Sequence, residues 1–297
     1  PMAIPLAIPL AKPSQCPDNL RKRTRAKGKS LTPEGGMMSE DGILRDGLRA
    51  GDHIVITGGG GGFGRAFCKR LAREGARISL WDINEDAGRE TERQVRAGGG
   101  EATFFQVDLA SGAAIDAAVQ ASFKQYGTPY GIINNASIYP RASVLDMQPD
   151  TFARTLQVNI TAPFHIIHAF GAGMTANKRG VIINIASGRA LEGAVNGANY
   201  ACSKAAILSL TKTVALEWAK HNIRCNTIIP GVSMTAQPLE NTTPEELIAR
   251  GQKNIPLGRI GYPDDMAGLA AFLFSADASY MTGQGVAMNG GVIMVPQ

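Results

Sequence analysis

Cysteine is scarce in this chain of 297 residues, and Cys16, Cys68, Cys202 and Cys225 form neither a C-x-x-C pair nor a Cys/His cluster at metal-ligand spacing. That spacing argues against a disulfide framework and against a metal site, and it leaves free thiols in a reducing, cytoplasmic setting as the expected state. Long apolar runs are missing as well. None approaches the ~20 residues a membrane helix needs, so no membrane association is expected. The opening stretch Pro1–Leu10 is apolar, but its prolines break a helix and no basic region precedes it, which argues against a secretory leader.

Excess charge is equally thin. Of the net +5, residues 1–50 carry +4, with nine Lys or Arg against five Asp or Glu, so the rest of the chain stands near neutral at +1. A body so balanced offers no broad basic face, and no nucleic-acid partner is expected. The run 21–29 (RKRTRAKGK) has the composition of a transit segment or a nucleic-acid patch, but it reads better as solvated chain. Residues 1–40 are therefore expected to form a flexible extension, and 45–297 a single folded domain, a length at which one large α/β core can be buried.

Glycine, by contrast, is abundant, with 35 residues, and its placement is informative. His53–Thr57 is a short, β-branched apolar run that reads as a buried parallel strand. Gly58–Gly62, Phe63 and Gly64 follow, and then Arg65–Ala72 with helical periodicity. Strand, glycine turn, helix is a phosphate-cradling unit, because glycines let the backbone approach a pyrophosphate and the helix start offers free N–H groups and a positive dipole end. Ile78–Trp81 reads as the next strand, ending at Asp82, eighteen residues past Gly64. A carboxylate there suits the ribose 2′-hydroxyl of NAD and would repel a 2′-phosphate; Trp81, Ile83 and the glycine loop supply no basic group to offset it. NAD is expected in preference to NADP.

The alternation continues, with helices expected near 85–97, 112–126, 149–176 and 200–221 and strands near 102–107, 131–133, 181–185 and 223–229. Repeated strand–helix units predict an α/β fold: a single-domain, Rossmann-type, doubly wound parallel sheet with helices on both faces and ligands beyond the carboxyl ends of its strands. Tyr200 and Lys204, four apart near the start of a helix, share one face. Alone such a pair is most often a core edge and a solvated face. Near a nucleotide site, a phenol whose ionisation a neighbouring ammonium favours is a candidate acid–base group.

Taken together, residues 45–297 resemble the short-chain dehydrogenase/reductase family. Thr57-Gly58-x-x-x-Gly62-Phe63-Gly64 matches its cofactor loop, Asp108, followed by Leu109, its acidic position beside the adenine, and Asn134-Asn135-Ala136 its N-N-A-G element. Asn159 falls where the family keeps a helix-kinking asparagine. Ser187, Tyr200 and Lys204 fall at its catalytic spacing, with twelve residues between serine and tyrosine. Pro230-Gly231, with Ser233 and Thr235, resembles its nicotinamide-side element. Two departures stand out: Ser137 replaces the last glycine of N-N-A-G, and Ser233 stands where an apolar residue is common.

The resemblance implies an oxidoreductase that interconverts a secondary alcohol and a ketone by hydride transfer. Tyr200 would be the general acid/base, Lys204 would tune it and hold the nicotinamide ribose, Ser187 would bind the substrate oxygen, and Asn159 would fix a water in a proton path. It also implies a homo-oligomer, dimer or tetramer, paired through the two long helices. A 3-oxoacyl thioester reductase acting on an acyl-carrier protein is the enzymatic alternative, and a non-catalytic NAD-sensing regulator the alternative of another class. Arg141, Arg189 and the segment 233–258 are candidates for the substrate side. His165, His168 and Cys202 read as packing residues, Cys202 as a small buried one.

Overall fold

The computed structural model describes residues 47–294 together with two short strands, β1 (Met37–Met38) and β2 (Leu44–Arg45), which pair antiparallel. The expected extension over residues 1–40 otherwise lies outside the described residues. The chain divides into two compact units, 1–45 and 46–297, of which the second carries the large sheet.

Seven strands form this one parallel sheet in the order β5-β4-β3-β6-β7-β8-β9. They are β3 (His53–Thr57), β4 (Arg77–Asp82), β5 (Glu101–Gln106), β6 (Gly131–Asn134), β7 (Gly180–Ile185), β8 (Ile223–Pro230) and β9 (Gly285–Met288). The order reverses between β4-β3 and β3-β6, and such a switch point opens a crevice at the carboxyl ends of the strands. Alternation of side chains explains the unbroken apolar runs. In β3, Ile54 and Ile56 enter one core with Phe67, Leu71 and Leu273, while Val55 enters the opposite core with Ile115, Ile166 and Val214.

The helices are α1 (Gly62–Arg73), α2 (Glu85–Ala97), α3 (Gly112–Tyr126), α4 (Pro149–Leu156), α5 (Ala162–Asn177), α6 (Arg189–Glu192), α7 (Ala198–Trp218), α8 (Ala236–Leu239), α9 (Pro244–Asn254) and α10 (Pro263–Phe274). Local chemistry sets most of their starts. Asn84 caps α2 by accepting from Ala87 N at 3.0 Å, Ser111 caps α3, and Thr243 with Glu246 forms a capping box on α9. The helix expected over 149–176 is two, joined by a π-helical turn at Gln157–Thr161 that contains Asn159, the position at which the resemblance implied a kink. None of the described helices is long and apolar enough to cross a membrane.

A row of polar side chains inside the core is hydrogen-bonded across three strands and α7, with Asn134 Oδ1 left without a partner among the described residues. Asn134 Nδ2 donates to Asn184 Oδ1 at 2.8 Å, Asn184 Nδ2 to Thr211 Oγ1 at 2.9 Å, and Thr227 Oγ1 to Thr211 Oγ1 at 2.7 Å. At the amino edge His53 is buried. Its Nδ1 donates to the Gly127 carbonyl at 2.9 Å and its Nε2 accepts from Ser79 Oγ at 2.8 Å, an arrangement that fits the neutral ring.

Burial pushes the His53 pKa down to about 4. The unfolded chain takes that proton near the ordinary value of 6.5, so stability is expected to fall as pH drops from about 6.5 towards 4, by on the order of 3 kcal/mol in all. Urea unfolding at pH 7 and pH 4.5 measures the drop. His53→Gln should flatten it, and an unchanged pH slope in that variant would assign the acid sensitivity elsewhere.

Candidate active site

The glycine loop is shaped by what presses on it from behind. A side-chain carbon on Gly64 would collide with the Gly58 carbonyl oxygen, and one on Gly58, which has φ +64°, would lie 2.9 Å from Ala136 Cα. Asn135 locks the two segments together, because its Nδ2 donates to the carbonyls of Thr57 (2.9 Å) and Gly58 (3.1 Å). In return Thr57 Oγ1 accepts from the backbone N–H groups of Asn135 and Ala136, each at 3.1 Å. The other side of the loop is open. Gly61 has nothing within 4 Å of where a side chain would stand, and Gly62 meets only Thr235, at 3.4 Å. Helix α1 begins there with no side-chain cap and no acid in its first turn. Open glycines over uncapped N–H groups fit a pyrophosphate.

Asp82 ends β4 beside this loop. Its Oδ2 accepts from Gly60 N at 2.8 Å and its Oδ1 from Asn84 N at 2.9 Å, so the carboxylate is oriented from both sides. Arg65, which no sequence motif marks, holds the same glycine by its carbonyl. Its guanidinium donates to the Gly60 carbonyl, and its Nε donates to Thr91 Oγ1 at 2.8 Å. A basic group therefore does lie under the loop, with these donors turned inward. Asp108 follows β5 at the same edge and caps its own turn through Ala110 N at 2.9 Å, with Leu109 buried beside it. Pro230 closes β8. Gly231 passes so near Asn289 that a side chain there would stand 2.6 Å from its Cα. Ser233 is buried yet satisfied, since its Oγ donates to the Gly231 carbonyl at 3.1 Å, which explains a hydroxyl in an apolar position.

Tyr200 and Lys204 lie on the buried stripe of α7 with Ser203, Ile207 and Thr211. Cys202 lies about 200° around the helix from Tyr200 and is exposed, which corrects the expectation that it is buried. Lys204 Nζ donates to the Ile185 carbonyl at 2.8 Å and sits 5.6 Å from the centre of the Tyr200 ring. Burial pushes the Lys204 pKa down to about 7. Burial also raises the Tyr200 phenol, opposed by hydrogen bonding from Ser187 and Gln237 and by the charge of Arg189. The expectation that Lys204 would draw the phenol towards neutrality is thus not met by the chain's own electrostatics. Desolvation governs both groups, and the phenol stays protonated near neutral pH.

The Asn159 side chain does not reach towards Lys204. Its Oδ1 accepts from Ile138 N at 2.9 Å, and its Nδ2 donates to Ile138 O and to Ser203 Oγ, both at 3.0 Å. It clasps the loop after β6 to the helix that carries Tyr200. Two residues outside the expected set complete the site. Tyr139 stacks on Tyr200 with ring centres 4.2 Å apart and planes 15° apart, and Gln237, on α8, approaches the phenol from the 233–258 segment. A tyrosine in the loop after a central strand was the available sequence signal for the first; for the second the sequence marked the segment 233–258 but not the residue. His165 pairs with Asp116 at 2.8 Å and His168 stacks on Phe164, and no metal-holding cluster occurs among the described residues.

A parallel sheet with its switch point at a glycine cradle, and a buried Tyr–Lys pair at the same edge, define a nicotinamide-dinucleotide-dependent oxidoreductase. Comparison with known proteins agrees. A family model described as enoyl-(acyl carrier protein) reductase matches residues 59–293. Human (3R)-3-hydroxyacyl-CoA dehydrogenase is 35% identical over 251 residues, 81% of this chain and 95% of that protein. Among solved structures, a putative NAD(P)-dependent gluconate 5-dehydrogenase from Beutenbergia cavernae with bound NADP has a TM-score of 0.77 at 34% identity, covering 82% of this chain and 97% of its own. A 7α-hydroxysteroid dehydrogenase with NADH and 7-oxo glycochenodeoxycholic acid also has a TM-score of 0.77, at 31% identity, covering 82% and 94%. The chain belongs to the short-chain dehydrogenase/reductase family. It is an enzyme acting on CH–OH groups.

Proposed function

We propose that this enzyme is an NAD-dependent dehydrogenase that interconverts a secondary alcohol and a ketone, with Tyr200 as the proton-transferring group. The observation that carries this reading is the meeting of Ser187, Tyr200 and Lys204 at the sheet edge that also holds the glycine cradle. Gly58, Gly62, Phe63 and Gly64 would receive the pyrophosphate, Asp82 the adenosine ribose, and Asp108 with Leu109 the adenine side. Asn135, Ala136, Pro230, Gly231, Ser233 and Thr235 would line the nicotinamide side. When bound, the nicotinamide accepts or donates the hydride.

The chain's part is positioning and proton transfer. Ser187 holds the substrate oxygen and stabilises charge developing on it. The protonated Tyr200 phenol gives its proton to that oxygen in reduction and takes it back in oxidation. Lys204, its pKa lowered by burial, would hold the nicotinamide ribose hydroxyls beside the phenol, and Asn159 keeps the neighbouring loop in place for proton exchange with solvent.

NAD is favoured because the Asp82 carboxylate is fixed beside Gly60 and would face a 2′-phosphate. Initial rates with NAD and NADP over a panel of secondary alcohols test this. NAD should win, and Asp82→Ser should shift the kcat/KM ratio towards NADP by about 10- to 100-fold, since one desolvated like-charge contact is worth a few kcal/mol. A wild-type preference for NADP would overturn the assignment. Assembly into a dimer or tetramer is supported by the exposed apolar side chains of Phe164 on α5 and Leu216 on α7. The thiols of Cys68 and Cys225, buried and free, agree with a cytoplasmic setting.

A further inference from the structure

The loop after β6 carries an arginine whose position is fixed from inside the protein. Asn199, fully buried, spends its whole side chain on this: its Oδ1 accepts from Tyr200 N at 2.8 Å, and its Nδ2 donates to Pro140 O at 3.1 Å and to Thr155 Oγ1 at 3.0 Å. Ala142 N donates to Asn196 O at 3.2 Å. The segment Tyr139-Pro140-Arg141-Ala142 is therefore pinned on both sides of Arg141, in register with Tyr200. Tyr139 stacks on the Tyr200 ring, and the Arg141 guanidinium lies over the Tyr139 ring, 4.8 Å from its centre.

Arg141 has no carboxylate partner among the described residues. Arg189, two residues past Ser187, acts by charge on the Tyr200 phenol and makes one long, half-exposed ion pair with Glu192, at 3.8 Å. Two arginines thus flank the proton-transferring group, Arg141 without a carboxylate among the described residues and Arg189 with donors left over from its one long ion pair. Around them the rim is apolar and exposed, with Val144 at 80%, Leu145 at 96% and Val195 at 91% of full exposure.

We infer that the substrate is an amphipathic acid: a secondary alcohol or ketone on an apolar body whose carboxylate, or another singly charged acid group, is received by Arg141 and Arg189. The acid group stands several bonds from the reacting carbon, because the aromatic pair Tyr139–Tyr200 separates Arg141 from the phenol. Guanidinium groups suit such a partner, since they present paired donors and cannot lose their charge. Charge at the mouth also draws an anion towards an otherwise near-neutral body. The inference rests on the proposed dehydrogenase function.

The test uses the full enzyme with NAD and matched pairs: medium-chain hydroxy-acids carrying the hydroxyl four to eight carbons from the carboxylate, each against its methyl ester. The acid should be favoured in kcat/KM by about 10- to 100-fold, the range of a charge-assisted arginine contact. Arg141→Met and Arg189→Met should each collapse the acid-to-ester ratio towards one, with Arg141→Lys restoring part of it, while the KM for NAD stays put. Equal turnover of acid and ester, or a ratio that survives both substitutions, overturns the inference and leaves the dehydrogenase reading standing. Oxidation of neither, alongside no oxidation of any neutral alcohol in the wider panel, overturns both.

Discussion

Tyr200→Phe is expected to lower kcat by about 10²- to 10⁴-fold, the contribution of a positioned general acid or base, with little change in NAD affinity. The substitution removes one oxygen from a ring that is packed on one face by Tyr139 and buried in the stripe of α7, so the fold keeps its packing. The group it removes is the phenol on which Ser187, Gln237 and Arg189 all act. Stopped-flow or steady-state assays of NADH formation would show the loss, and NADH fluorescence titration the retained cofactor site. A variant that kept wild-type kcat would show that the proton is handled elsewhere.

Lys204→Met should separate stability from activity. The buried ammonium has its pKa pushed down to about 7 from an ordinary value of 10.5, so it is harder to charge in the folded chain than in the unfolded one. For a lysine so shifted the destabilisation is complete below pH 7 and fades as pH rises from about 7 towards 10.5. In full it is on the order of 3–5 kcal/mol, partly offset by the hydrogen bond to Ile185 O. Methionine fills the same space without the charge. At pH 6 to 7 the variant is expected to unfold several degrees above the parent, at about 2–4 °C per kcal/mol for a domain of this size, while its turnover falls at least 100-fold. Thermal unfolding at pH 6 and pH 9 reads the sign: the gain should shrink at the higher pH. A loss of stability at pH 6 would mean that the lysine is held by more than the carbonyl and the ring.

Much of this architecture was legible in the chain because the physics behind it is local. The β-branched run His53–Thr57, the glycines after it and the acid ending the next strand are short-range signals, and the structure places the strands, the cradle and Asp82 together as they imply. The helices expected near 85–97 and 112–126 stand as α2 and α3, and the structure adds the caps at Asn84 and Ser111. What was not legible depends on which side chains meet at long range. Periodicity alone does not distinguish an ordinary helix over 149–176 from one broken at Asn159, because the break is held by Ile138, twenty-one residues away; the family resemblance alone pointed to a kink there. Arg65 looks like any cation on a new helix until Gly60 and Thr91 are seen beneath it. The Tyr–Lys spacing revealed the pair but not its titration. Spacing says nothing about burial, and burial sets the direction of both shifts.

The polar row through the middle of the sheet constrains how this sequence can drift. Asn134, Asn184, Thr211 and Thr227 hand one another hydrogen bonds across three strands and α7, and Cys225 stands 3.7 Å from Asn184. Changing Asn184 alone to an aliphatic residue would leave the Asn134 Nδ2 donor an orphan, at about 1–3 kcal/mol, and take away one of the two hydrogen bonds that Thr211 Oγ1 accepts. Exchanging the whole row for matched aliphatics would leave none. Intermediates between those two cores are the least stable members of the series, so the row is inherited as a block, and single substitutions scored one at a time would misjudge it.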